Sequence, residues 1–353
     1  MTVPTKHGRS AIDGAALAKL IQVSGLLDGT LALGVGEIAG RFPEPVQSNL
    51  FLEFEFAEGP VPAGFGLGFE AGLLDYYRVV RDPFLSSAQG QSLQTALARD
   101  PFAADHREHL NLFGDRDPDW VEFDIADALI APTPFVFFRL PSRFRNVSDA
   151  AEVSALCAIL PGQALGGEFS RLLDRIVAVA PACPYRIGVA RSRGAGWWRA
   201  IMTNLNRRQV EAALTDLDAD GLDGVLAPAA RLYDRWMDSP GACYALSIDV
   251  NDNRVTAVDV ECPYLFRVAD AKARVKPLGD YALEIAGSGL VSPANAAWIS
   301  GNAVRDVGSS QVNSTLRIML HHLKFRLFGV PRLRAKAYLH LCLVAEPRPS
   351  EPR

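Results

Sequence analysis

The residues best suited to chemistry lie near the C-terminus, in two short segments where polar and apolar side chains alternate. In 320–327, His322, Lys324 and Arg326 alternate with His321, Leu323, Phe325 and Leu327. In 334–343, Arg334, Lys336, Tyr338 and His340 alternate with Ala335, Ala337, Leu339 and Leu341. A period of two is that of a strand, so each polar set shares one face. Lys and Arg head groups beside a phenol can hold a phosphate or diphosphate through several charge-assisted hydrogen bonds. The same pattern also suits a solvated sheet face whose Lys and Arg provide solubility and edge protection. Arg139 and Arg186 sit on other predicted strands and join the basic set if their faces coincide. Glu53 and Glu55 share a face of the strand predicted over 50–57. Enclosure would desolvate them and raise their pKa toward the general-base range, whereas on an exposed edge they would be ordinary carboxylates.

Other candidates carry less. His106 and His109 have helical spacing in Asp105-His-Arg-Glu-His, but further metal ligands are missing around them, so no metal site is expected. Gly34-Val35-Gly36 with Gly40 lacks the G-x-G-x-x-G spacing and follows no strand. P-loop, G-x-S-x-G and H-E-x-x-H motifs are absent. Cys157, Cys183, Cys243, Cys262 and Cys342 form no C-x-x-C pair and read as buried thiols. Trp197 and Trp198 suit core packing, or stacking on an aromatic acceptor or isoprenoid.

The elements that must position these groups are helices and strand pairs in turn. Apolar spacing predicts helices over 10–27, 85–99, 148–160, 168–179, 206–217 and 228–237. Strands are predicted at 50–57, 64–69, 120–125, 135–139, 185–191, 244–250, 255–261, 320–327 and 334–343. Asn251-Asp252-Asn253 supplies a hairpin turn, and Gly329-Val330-Pro331 separates the last two strands. The order gives roughly five α-β-β-α units, an α+β fold with antiparallel pairing. Helices against one sheet face draw the apolar residues there and leave the other face polar; if such a sheet closes, that face becomes a lumen.

At 353 residues with 49% hydrophobic and 22% charged residues, the chain can build a large core. We expect a single domain over 1–345 and a disordered tail over 346–353. A formal net charge of −4 argues against a general nucleic-acid or anionic-membrane binder. Residues 1–10 are polar, and no run of about 18 apolar residues occurs, so a cytoplasmic protein is expected.

The recurring units, together with Lys324-x-Arg326 and Lys336-x-Tyr338, resemble the aromatic prenyltransferases of the ABBA fold. The likeness extends to the peptide prenyltransferases of cyanobactin-type pathways, on Leu52-Glu53, Phe137-Phe138-Arg139, the Asp249–Glu261 hairpin and Arg334-Ala-Lys336-Ala-Tyr338-Leu. The resemblance implies a closed antiparallel β-barrel surrounded by helices, with an isoprenyl diphosphate (dimethylallyl or geranyl) as co-substrate in its lumen and Mg2+ as an optional companion. It implies Glu53 as base or cation-stabilising carboxylate, and Arg139, Arg186, Lys324, Arg326, Lys336 and Tyr338 as diphosphate ligands. The acceptor would be a peptide natural product or a small aromatic molecule. The 64–69 strand lacks the basic residue such enzymes usually carry there, which puts diphosphate binding in question. Two other readings stay open: a non-catalytic protein that binds a peptide or an anion, and a different tailoring enzyme that uses Glu53 or Glu261.

Overall fold

The computed structural model describes residues 14–39, 50–56, 59–68, 118–126, 129–130, 135–139, 185–189, 197–214, 225–231, 244–251, 254–262, 275–310, 312–328 and 334–345. Helix α1 (Gly14–Val23) is shorter than the predicted 10–27 segment. It stops because Ser24 Oγ donates back to the Ile21 carbonyl (2.5 Å) and Gly25 takes a left-handed φ of 73°. A second helix, α2 (Gly29–Ala39), starts at once, its N-terminus capped by Asp28 accepting from the Leu31 amide at 2.9 Å. The remaining labelled helices are α3 (Arg207–Leu214), α4 (Val275–Gly287) and α5 (Pro293–Gly301). Asn206 caps α3 as its sequence suggests, in a reciprocal box with Gln209. α4 and α5 fall in a stretch for which the periodicity gave no prediction. The predicted helices at 85–99, 148–160 and 168–179 lie outside the described residues, as do 346–353 and His106 and His109.

The strands are β1 (Leu50–Phe56), β2 (Pro60–Gly68), β3 (Pro118–Ala126), β4 (Leu129–Ile130), β5 (Phe135–Arg139), β6 (Tyr185–Val189), β7 (Trp197–Leu205), β8 (Tyr244–Asn251), β9 (Arg254–Cys262), β10 (Val304–Ser309), β11 (Val312–Phe328) and β12 (Arg334–Ala345). They form one 12-stranded sheet in the order β10-β11-β12-β1-β2-β3-β5-β6-β7-β8-β9, with β4 attached to β3. Every pair is antiparallel, and a further pairing joins β11 to β9, with Leu323 opposite Cys262 and Phe325 opposite Val260. The N- and C-terminal parts of the chain meet where β1 pairs with β12, Glu53 opposite Tyr338 and Glu55 opposite Lys336.

One face of this curled sheet is apolar and covered by helices. Leu50, Leu52 and Phe54 on β1, Leu246 and Ile248 on β8, Val258 and Val260 on β9, and Ala337, Leu339 and Leu341 on β12 are buried with α1, α2, α4 and α5 in one core. Trp298 of α5 packs on Phe54 and Phe56, with ring centroids at 4.9 and 5.7 Å. Burying each such Leu or Phe contributes about 1.5–3 kcal/mol, which fixes the register because a one-residue slip would turn every carboxylate into the core.

β11 departs from simple alternation. A bulge between Leu320 and His322 keeps Leu316, Ile318 and Leu320 on the core side before it, and Leu323, Phe325 and Leu327 on the same side after it. Leu320 and Leu323 thus share a face although three residues apart, and His321 does not join the core as strict alternation predicts. Instead its ring meets Phe51 edge-on at 5.0 Å, with His322 beside it. Among the described residues no helix is long and apolar enough to cross a membrane.

Candidate active site on the polar face

The second face of the sheet is polar yet buried. Glu53 (β1), Glu122 (β3), Arg199 (β7), Asp249 (β8), Asp259 and Glu261 (β9), and His322 and Lys324 (β11) are all 7% exposed or less. Arg199 acts electrostatically on Lys336 and Tyr338, four pairing steps away through β8, β9, β11 and β12, so the sheet must curl to bring these strands face to face. This is an interior wall, and the solvated-face reading of the basic residues is set aside.

Glu53 is the centre of the first cluster. Lys336 Nζ donates to its Oε1 and the Tyr338 hydroxyl to its Oε2, and Lys336 also lies 3.9 Å from Glu55 Oε2. Tyr338 is held in turn by His322, whose ring stacks on the phenol at 4.3 Å and 15°. Lys324 lies 5.9 Å from the centroid of the same phenol ring. Burial by itself would push the Glu53 carboxyl up, as the sequence suggested. The charges of Lys336 and Lys324 and the hydrogen bonds from Lys336 and Tyr338 outweigh it, and hold Glu53 well below the usual carboxylate range. The expectation of a raised pKa is therefore corrected: the cations that enclosure brings to Glu53 are on β11 and β12, nearly 300 residues away in sequence and adjacent only in the sheet. Burial and the Glu53 charge together raise the Tyr338 phenol well above its usual value.

A second cluster runs across β7, β8, β9 and β11. Arg199 grips Asp249 with Nε at 2.6 Å and Nη2 at 3.1 Å. Arg326 bridges Asp249 (3.0 Å) and Asp259 (2.6 and 3.0 Å). Lys324 lies 3.4 Å from Asp259 and 3.3 Å from Glu261, and Ser247 donates to Glu261. Two-pronged guanidinium–carboxylate pairs fix geometry as well as charge.

The third part of the wall is aromatic. Phe135 and Phe137 on β5 and Trp197 on β7 pack together, with Phe135 edge-on to Trp197 at 5.0 Å. The Arg199 guanidinium sits 5.3 Å from the Trp197 ring and 6.0 Å from Phe135. β6 passes beneath Phe137 at Gly188, where a Cβ would lie 2.2 Å from the ring, so only glycine lets the phenyl lie over the backbone. β2 presents Gly64 and Gly66 beside Glu53 and Phe51.

Of the residues singled out from sequence, Glu53, Lys336, Tyr338 and Lys324 come together, and Arg326 lies in the adjoining acidic network. Arg139 is the register partner of Arg186 across β5 and β6, which lie three and four strands from the β1 that carries Glu53. Lys324, Arg326 and Lys336 are each in ion pairs with carboxylates. Sequence reasoning missed Glu122, Arg199, Asp249 and Asp259. Their signal was present as charged residues at alternate positions of otherwise apolar strands, such as Asp259 between Val258 and Val260 and Glu261 between Val260 and Cys262. Among the described residues no group of His, Cys, Asp and Glu is arranged to hold a metal ion.

His322 makes the site sensitive to acid. Burial lowers its pKa from 6.5 to about 4, with Lys324 adding to the effect and Glu261, at 3.6 Å, and Glu53 opposing it. The unfolded chain takes up the proton below about 6.5 while the folded protein resists it, so this contribution is intact above 6.5 and is lost as pH falls toward 4. We predict that His322 costs the protein about 3 kcal/mol of stability between pH 7 and pH 4. Urea unfolding at the two pH values should show a smaller acid loss for His322→Phe than for the parent; equal losses would show that His322 is not the source.

No family model and no curated protein matches the chain. Solved structures do. The apo form of the prenyltransferase PriB is similar with a TM-score of 0.59 and 13% identity, over 94% of this chain and 96% of that one. The 5-dimethylallyltryptophan synthase of Streptomyces coelicolor gives 0.55 and 15%, over 92% and 95%. The 6-dimethylallyltryptophan synthase of Micromonospora olivasterospora, solved with DMASPP and Trp, gives 0.54 and 16%, over 94% and 98%. The fold is that of the ABBA prenyltransferases, as the alternation of helices and strand pairs implied.

Proposed function

We propose that the protein is a prenyltransferase that moves an isoprenyl group, dimethylallyl or geranyl, from its diphosphate to an aromatic acceptor on the polar face of its curled sheet. The observation that carries this reading is Glu53: a buried carboxylate bonded by Lys336 and Tyr338 inside a sheet of this fold. In the reaction the allylic C–O bond breaks, and its electron pair leaves with the diphosphate. The acceptor carbon or heteroatom attacks the allylic cation, and its proton passes to Glu53. Phe135, Phe137 and Trp197 form an aromatic wall that can shield the cation from water. Lys324, Arg326, Lys336 and Tyr338 would receive the diphosphate, with Arg139 and Arg186 contributing from the β5–β6 side. A Mg2+ ion is an optional partner of the diphosphate.

The acceptor class is supported by the neighbours, among them PriB solved with L-tryptophan and dimethylallyl thiolodiphosphate. A side chain of a peptide natural product is the wider form of the same proposal. One observation favours a second reading: Arg199, Lys324, Arg326 and Lys336 are each already matched with carboxylates, which suits a ligand less anionic than a diphosphate, as in a binding protein or another tailoring enzyme. Calorimetric titration with dimethylallyl and geranyl diphosphate separates the two. Binding that weakens about tenfold or more in Lys336→Ala is expected, as removal of a charged hydrogen-bond partner is worth about 1.5–3 kcal/mol. Mass spectrometry of aromatic acceptors, tryptophan and Trp-containing peptides first, should then show one added isoprene unit. Absence of binding by either diphosphate would leave the second reading.

A further inference from the structure

Lys336 has two tasks that it cannot perform at once. It is the ion-pair partner of Glu53, and the proposed function makes it a ligand of the diphosphate. We propose that Lys336 is exchanged between these two anions, so that arrival of the donor withdraws it from Glu53 and frees that carboxylate to accept the acceptor's proton. The inference rests on the prenyltransferase reading and adds to it an order of events: the base becomes competent only when the donor is seated.

The geometry around Glu53 is asymmetric in the way an exchange needs. On the Oε2 side Tyr338 is 7% exposed and its ring is fixed by the stacked His322. On the Oε1 side Lys336 ends a flexible four-carbon stem, and its side chain is 23% exposed against 5% for Glu53. A group arriving on the polar face can thus reach Lys336 without disturbing Tyr338. The other groups that face Glu53 do not replace it. Lys324 on β11 is 5% exposed and already shared between Asp259 and Glu261 on β9. β2 contributes Gly64, which carries no charge. On β1 itself Glu55 also pairs with Lys336, at 3.9 Å, and with Arg334 at 3.5 Å. On β3 Glu122 is a further buried carboxylate acting on Tyr338. Loss of Lys336 therefore leaves Glu53 desolvated, with one phenolic hydrogen bond and a more distant lysine, conditions in which a buried carboxyl becomes a better base. The exchange also explains how a carboxylate held so far down by Lys336 could act as a base at all.

The test reads Glu53 directly. With glutamate labelled at the side-chain carboxyl carbon, the Glu53 resonance is assigned by its absence in Glu53→Gln and titrated with and without saturating inorganic pyrophosphate. Pyrophosphate binding is established separately by calorimetry. The expected result is an upward move of the Glu53 titration by about 1–3 pH units on adding pyrophosphate. In Lys336→Met the titration should already lie high, with pyrophosphate adding nothing further. Pyrophosphate that binds and leaves the Glu53 titration in place overturns the exchange while the prenyltransferase reading stands. Failure of pyrophosphate to bind overturns both. The comparison within the parent protein suffices if Lys336→Met does not fold.

Discussion

Glu53→Gln is expected to retain the fold and the donor affinity and to lose about 10²–10⁴-fold in the rate of prenyl transfer, the usual cost of a missing general base. The amide has the shape of the carboxylate and can still accept the Tyr338 hydroxyl. It cannot take up the acceptor's proton or offset the charge of the allylic cation. It also ceases to compete for Lys336, so the affinity for dimethylallyl or geranyl diphosphate should be equal to or higher than in the parent. Single-turnover product formation followed by mass spectrometry, with calorimetry for the donor, separates the two effects. A glutamine variant as active as the parent would move the role to another carboxylate, and Glu261, buried beside His322 and Lys324, is the next to test.

Asp249→Ala is expected to destabilise the protein by about 3–5 kcal/mol, because it removes one partner from a buried pair and leaves the charge of the other. Arg199, 4% exposed, would lose both of its hydrogen bonds to Asp249, and Arg326 would lose one of its two carboxylates. Burial by itself would push Asp249 up, but Arg199, Lys324 and Arg326 hold it well below its ordinary 3.8. Its folded pKa is thus the lower one, so the stabilisation is complete above about 4 and is lost as the pH falls further. Denaturant unfolding at pH 7 should show the full deficit in the variant. The deficit should shrink below pH 4, where Asp249 of the unfolded parent chain takes up a proton that the folded protein resists. A variant as stable as the parent at pH 7 would mean that solvent or a neighbouring carboxylate compensates Arg199.

The prenyltransferase resemblance came from order and alternation: strand pairs between helices, and two C-terminal strands with basic residues on every second position. Those features are local, since a period of two and a turn such as Asn251-Asp252-Asn253 can be read within ten residues. The same local reading placed Glu53, Lys324, Lys336 and Tyr338 on polar faces, where the structure has them. It failed where neighbouring strands change the outcome. The β11 bulge is invisible in a sequence in which His321 and His322 are adjacent and either could take the inward position. Helix α1 ended earlier than its apolar pattern because a single left-handed glycine suffices to turn the chain.

The sequence by itself determined which side chains share a face, because alternation follows from strand geometry and hydrophobic burial chooses which face goes inward. Only the tertiary structure decided what those side chains do to one another. Glu53 and Lys336 are far apart in the chain and become bonded because β1 and β12 are neighbours in the sheet. Proximity to Lys336, Lys324 and Tyr338 reverses the effect of burial on Glu53, and the carboxyl that isolation would raise is held low. Electrostatic interaction depends on distances of a few ångströms between groups that sequence separates by hundreds of residues, and those distances exist only once the strands have paired.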